Sequence, residues 1–232
     1  MATERILNRV LGAFLLLTTS VPLMAEDSGR WLFRVYLDDR EIGFHEFSVT
    51  DREGGQDVEI SAEFDVKFLF FNAYSYDHKN LENWAGDCLA RIDALTNDNG
   101  AESAVSGQSS ASGFVVTVNQ GAAMVGSDCV RSFAYWNPVI LESETLLNSQ
   151  TGELVDVTIR NHGAVMLQIG SDQVPAEKFT IEMQDGPIHL WYSPGARHWL
   201  ALEAETEGGR MLRYVPMVLP RHETGNARLV MD

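Results

Sequence analysis

Val58-Glu59-Ile60-Ser61-Ala62-Glu63-Phe64-Asp65-Val66-Lys67-Phe68 alternates apolar and polar residues without a break. A period of two held this long is the pattern of a half-buried β-strand, with Val58, Ile60, Ala62, Phe64, Val66 and Phe68 on a core face and the charged residues on a wet one. The same alternation runs upstream through Trp31, Phe33, Val35 and Leu37 to a turn at Asp38 and Asp39, and 41–50 returns as a second strand. Downstream, 72–84 continues it with Tyr74, Tyr76 and His78 on one face. Asn97-Asp98-Asn99-Gly100 is a hairpin-turn signal.

After a weakly patterned polar stretch, 103–113, Phe114 to Val118 is β-branched strand. The spacing of Ile140, Leu141, Glu144 and Leu147, with Pro138 in the first turn, predicts a helix over 137–147. Strands then recur at 154–159, 165–169, 178–183, 187–192, 197–205 and 210–217, joined by short turns such as Ser193-Pro194-Gly195-Ala196. Many short-turn strands with one helix predict a mainly β fold: an antiparallel up-and-down sheet curled into a barrel, half-barrel or sandwich, with one short helix. No composition shift divides the chain, so 26–219 is expected to be a single β-rich domain and 220–232 a loose tail.

The first residues have the three-part layout of an export signal. Arg5 and Arg9 precede a short apolar run, Val10 to Leu17, and small Ala25 stands before Glu26 and Asp27. The run is too short to span a membrane, which takes roughly 20 apolar residues. We therefore expect cleavage after Ala25, a periplasmic location, and no transmembrane span in the mature chain. The net charge of −16 becomes one unit more negative without the leader. Such a chain repels phosphate backbones, so no nucleic-acid partner is expected.

In an oxidising compartment Cys88 and Cys129 are expected to bridge. Both fall in segments read as strands. The bridge would close a loop of about 41 residues, worth roughly 4 kcal/mol in a chain-entropy account. Two buried thiols or a redox pair are the other readings, and the CxxC spacing of a redox pair is absent.

Catalytic motifs are missing. There is no GxSxG elbow, HExxH helix or phosphate-binding loop. The Asn97–Gly100 turn is no calcium loop, because Leu95 and Ser106 stand where carboxylates are required. If 189–192 pairs with 197–200, Trp191 faces His198 and His189 faces Leu200, placing two imidazoles on one diagonal. No third ligand accompanies them, so no metal, cofactor or catalytic residue is expected. What remains is an apolar concave face. Its candidate lining is Phe64, Phe68, Phe70, Phe71 and Trp84, with Tyr74 and Tyr76 at a mouth. The run Phe68-Leu69-Phe70-Phe71 breaks alternation and needs cover on both sides.

Three stretches carry a family resemblance: Phe33 to Asp38 leading into Ile42-Gly43-Phe44-His45; Cys129 to Pro138 leading to Leu147 through Gly152; and Leu190-Trp191-Tyr192-Ser193-Pro194-Gly195-Ala196-Arg197. Together they resemble the exported bacterial family known as domain of unknown function 6134, over nearly the whole mature chain. The resemblance implies an exported, sheet-rich fold, and the two cysteines fit the family layout. It supplies no activity. The expected partner is an envelope protein served in an accessory or structural role; the alternative is a lipid or other apolar small molecule held by the concave face.

Overall fold

The computed structural model describes residues 28–68, 71–206 and 208–220. The expected leader, Leu69, Phe70 and residues 221–232 lie outside the described residues.

The first half of the chain is an antiparallel meander. It comprises β1 (Ser28–Leu37), β2 (Arg40–Arg52), β3 (Gly55–Phe68), β4 (Phe71–Ala85), β5 (Cys88–Asp98), β6 (Ala101–Ser110), β7 (Gly113–Val118) and the two-residue β8 (Met124–Val125). A second meander follows: β11 (Thr158–Ile169), β12 (Asp172–Glu182), β13 (Ile188–Tyr192), β14 (Trp199–Glu205) and β15 (Met211–Val218). β15 pairs with β1, which merges the two into one 13-stranded sheet edged by β11 and β8.

The alternation over 58–68 sets which face is core. Val58, Ile60 and Ala62 are buried and stand opposite Val49, Phe47 and His45 of β2. One large cluster gathers this face, from Trp31, Phe33 and Val35 through Trp84, Ile92 and Phe114 to Phe179, Leu190, Tyr192 and Trp199. A smaller cluster, Ala176, Trp191, Leu200 and Ala201, sits on the reverse face near β11.

The connection between the meanders fills the inside of the curved sheet. It holds β9 (Thr145–Leu147) and β10 (Leu154–Asp156), a separate two-stranded pair. Val130, Ala134, Trp136, Ile140, Leu146 and Leu147 are all buried in the main cluster. Val130 accepts a backbone hydrogen bond from Leu89 of β5, and the Tyr135 carbonyl accepts one from the Tyr192 hydroxyl of β13. The segment is thus tied to strands of both meanders. Gly152, at φ +75°, lets the 148–152 turn lie on Val116 and Val118, where a Cβ would stand 2.4 Å from Val118.

The helix expected over 137–147 is corrected to a single 3-10 turn, Pro138–Glu142, followed by strand β9. Asn137 caps the turn by accepting from the Val139 amide. Arg131 takes the Val139 carbonyl and the Ser143 hydroxyl, and the Ser143 amide closes onto Ile140, three residues back. An α-helix would need the Val139 carbonyl for its own ladder. The strand expected over 154–159 is also interrupted: β10 ends at Asp156, and β11 begins at Thr158 in a different sheet.

Candidate functional site

Cys88 and Cys129 are disulfide-bonded. Cys88 opens β5, but Cys129 lies outside any strand, on the interior segment. The bridge therefore pins that segment to the sheet instead of linking two strands of it.

From the disulfide end, β4 sends Trp84, Glu82, Asn80, His78, Tyr76 and Tyr74 inward in turn, opposite Gln56, Val58, Ile60, Ala62, Phe64 and Val66 of β3. Trp84 is 1% exposed and meets Trp136 edge-on at 5.6 Å. It is a core residue covered by the chain itself, which takes it out of any open lining. Phe64 and Tyr76 stack at 5.1 Å. Tyr74 is half-buried, and burial followed by the Asp98 carboxylate raises its hydroxyl pKa well above the ordinary value. The side chains of Phe68 and Phe71 lie outside what the structure describes, as does Phe70 altogether.

The interior also holds polar groups. Glu82 is 2% exposed; its carboxylate accepts from Asn80 Nδ2 at 2.9 Å and Trp84 Nε1 at 2.8 Å. Burial outweighs these donors and raises its pKa. His78 shares a hydrogen bond with the Thr96 hydroxyl through Nδ1 at 2.9 Å and meets Ser149 through Nε2. His45 stacks on Phe47, and its Nδ1 lies 3.0 Å from the Tyr214 hydroxyl. Its Nε2 is shielded from solvent and has no hydrogen-bond partner among the described residues. Desolvation pushes His45 down to about 3 and His78 to about 4, so both are neutral imidazoles at physiological pH. His45, Asn80 and Glu82 escaped the sequence reading, though their parity with Phe47 and Trp84 marks them as inward.

The His189 and His198 diagonal does not form. Trp191 pairs with Ala201 and His189 with Glu203, because the connection runs from Ser193 to His198, longer than the expected four-residue turn, and an irregularity after Trp191 shifts the register by one residue more. His189 instead meets the Thr180 hydroxyl, which also meets His162. Among the described residues no three His, Cys, Asp or Glu side chains gather as metal ligands.

On the outward face of β2 to β6 lies an open groove of about 670 Å³. Its wall includes Leu81 and Leu95, 56% and 62% exposed, on adjacent strands. Glu59 stands opposite Leu81, and Lys79 opposite Leu95. Glu46 and Asp93 on the rim are ion-paired with Arg30 and Arg91.

Residues 33–217 match the family described as domain of unknown function DUF6134. The chain belongs to that family. No curated protein matches this DUF6134 member. Among solved structures it is similar to a beta-barrel-like protein of domain of unknown function DUF1849 from Brucella abortus. That match has a TM-score of 0.62 at 10% identity and covers 85% of this chain and 99% of the other. At that identity the likeness is one of fold. Among the described residues no helix is long and apolar enough to cross a membrane.

Proposed function

We propose that this DUF6134 protein acts in the periplasm, after loss of its leader, as a non-catalytic accessory of an envelope protein. It holds an apolar segment of that protein in the outward groove of β2 to β6. One observation carries the reading: Leu81 and Leu95 stand more than half exposed, as diagonal neighbours on adjacent strands whose other outward residues are mostly polar. Isolated exposed leucines need no explanation, but apolar side chains gathered in a groove favour a partner. Glu46 and Asp93 on the rim already have their arginines, while Glu59 and Lys79 stand beside the leucines, so the occupant supplies chiefly apolar surface.

A photo-reactive residue in place of Leu95, used in intact cells, tests this. The expected result is one recurrent protein adduct that Leu81→Asp abolishes while the protein remains folded. A native mass showing a retained apolar small molecule, with no protein adduct, overturns it. That second outcome favours a ligand at the Phe64–Tyr76 stack beside Tyr74, where His45 Nε2 offers an unused hydrogen-bonding atom.

A further inference from the structure

Among the described residues the sheet has two open edges, and they are managed differently. An unpaired strand presents a row of free N–H and C=O groups, which proteins blunt by shortness, charge, proline, bulges or cover. β8 is only two residues long. β11 has twelve, and only its first half carries such devices: Arg160 and a register irregularity between Asn161 and Gly163. From Gly163 to Ile169 the sequence is Gly-Ala-Val-Met-Leu-Gln-Ile, with no charge and no proline. This half pairs regularly with β12 on one side and with no described strand on the other.

We propose that this half-edge is covered by the same segment of a second copy of the chain, antiparallel, about a two-fold axis at Met166. The inference is independent of the groove.

Three features select a second copy. The first is hydrogen-bonding phase. The two-residue turn after Ile169 makes Ile169 and Asp172 the closing pair of the hairpin. Alternation then commits Leu167 and Val165 to β12 and turns the backbone groups of Ala164, Met166 and Gln168 outward. Centred on Met166, two copies place those outward residues opposite one another, Ala164 against Gln168 and Met166 against itself.

The second feature is the side-chain face. In the same register Val165 stands opposite Leu167 of the other copy. Both are half-buried on the margin of the small reverse-face cluster with Ala176, Trp191, Leu200 and Ala201. A second copy extends that four-residue cluster across the axis into one apolar layer. Met166, 57% exposed, is covered on the other face.

The third is charge. A net charge of −16 opposes the approach of two copies everywhere else. An edge of seven uncharged residues meets itself without opposing like charges. Two-fold pairing of one patch with itself is also the commonest way that chains form closed oligomers.

The test is sedimentation of the purified, exported form over a range of concentrations. A concentration-dependent dimer is expected. Met166→Lys sets two cations against each other at the axis and is expected to weaken self-association by at least about tenfold. Met124→Lys, on the short opposite edge, is expected to leave it unchanged. Because Met166 is exposed, both variants should keep the parent's thermal unfolding at concentrations low enough for the parent to be monomeric, where loss of the dimer does not itself lower stability; this is checked alongside. Met166→Cys fixes the register, since a residue opposite its own copy lies within disulfide reach and should give a covalent dimer under mild oxidation. A monomer at every concentration with no covalent dimer overturns the proposal. So does a dimer that Met166→Lys leaves intact.

Discussion

The two ends of the sheet interior are built from the same strands and filled in opposite ways. At the disulfide end Trp84, Trp136, Leu89 and Val130 pack with little exposure, and the chain's own connecting segment occupies the space. Towards the Asn97–Gly100 turn the inward row changes to Glu82, Asn80, His78 and Tyr76, and the apolar residues beside it, Phe64 and Val66, are only half-buried. The first arrangement is what a core needs. The second buries a carboxyl group and two imidazoles, each at a cost in free energy. Stability therefore concentrates at one end, and the chemistry available to a ligand at the other.

The contrast can be broken most directly at Trp84. Trp84→Ala should cost about 3–5 kcal/mol in urea unfolding, because it opens a cavity against Trp136 and strips Glu82 of a donor. Tyr74→Ala, on the same face of the same strand but half-buried, should cost about 1 kcal/mol. Equal losses would show that the two ends do not differ in packing. Next in size is the bridge. Replacing Cys88 and Cys129 together by serine frees a separation of 41 residues and should cost roughly 4 kcal/mol. If the interior segment is held by the disulfide as well as by its own packing, its amides from Val130 to Trp136 should exchange faster in that variant than those of β3.

Much of this fold was legible because period two is a strong signal. Val58 to Phe68 announces its own core face, and its neighbours repeat the pattern in register. The interior segment was not legible. Its apolar residues follow no period, since each is placed by contact with a different strand, and its helical spacing came from a 3-10 turn joined to a short strand. The site was readable only in part. Parity put Tyr74, Tyr76 and His78 together, but a polar residue such as Glu82 reads as outward until Trp84, two residues on, marks the face as inward. The exposure of Leu81 and Leu95 was hidden for the converse reason, as a leucine in a strand reads as core. Tertiary packing decides such residues, and it overrides local preference.

The polar end can be sharpened by pH. His45 and His78 titrate near 3 and 4 in the folded chain, against 6.5 when unfolded. Between those values the unfolded state binds protons that the folded state refuses, so stability rises with pH in that window and falls as pH drops from about 6.5 towards 4. A fully buried imidazole contributes a loss on the order of 3 kcal/mol. Unfolding measured at pH 7 and pH 4.5 should show this fall, and His78→Gln, which removes one titrating group, should flatten it. An unchanged slope in that variant would place His78 in contact with water.

The smallest effect sits where the two ends meet, at Glu82. Its pKa is raised by burial, the opposite linkage to that of the histidines. As pH rises through the ordinary carboxyl range the unfolded chain gives up its proton before the folded one does, so this group lowers stability towards neutral pH. A neutral side chain of the same shape removes that dependence. The acceptors needed by Trp84 and Asn80 are then reduced to one oxygen, but Asn80 Oδ1, which has no partner among the described residues, can accept from the new amide after a half-turn of its own. Glu82→Gln should therefore match the parent within about 1 kcal/mol at pH 4 and exceed it at pH 7. If the parent is the more stable at pH 7, the donors to Glu82 outweigh its burial, and the apolar character of the disulfide end stops at Trp84.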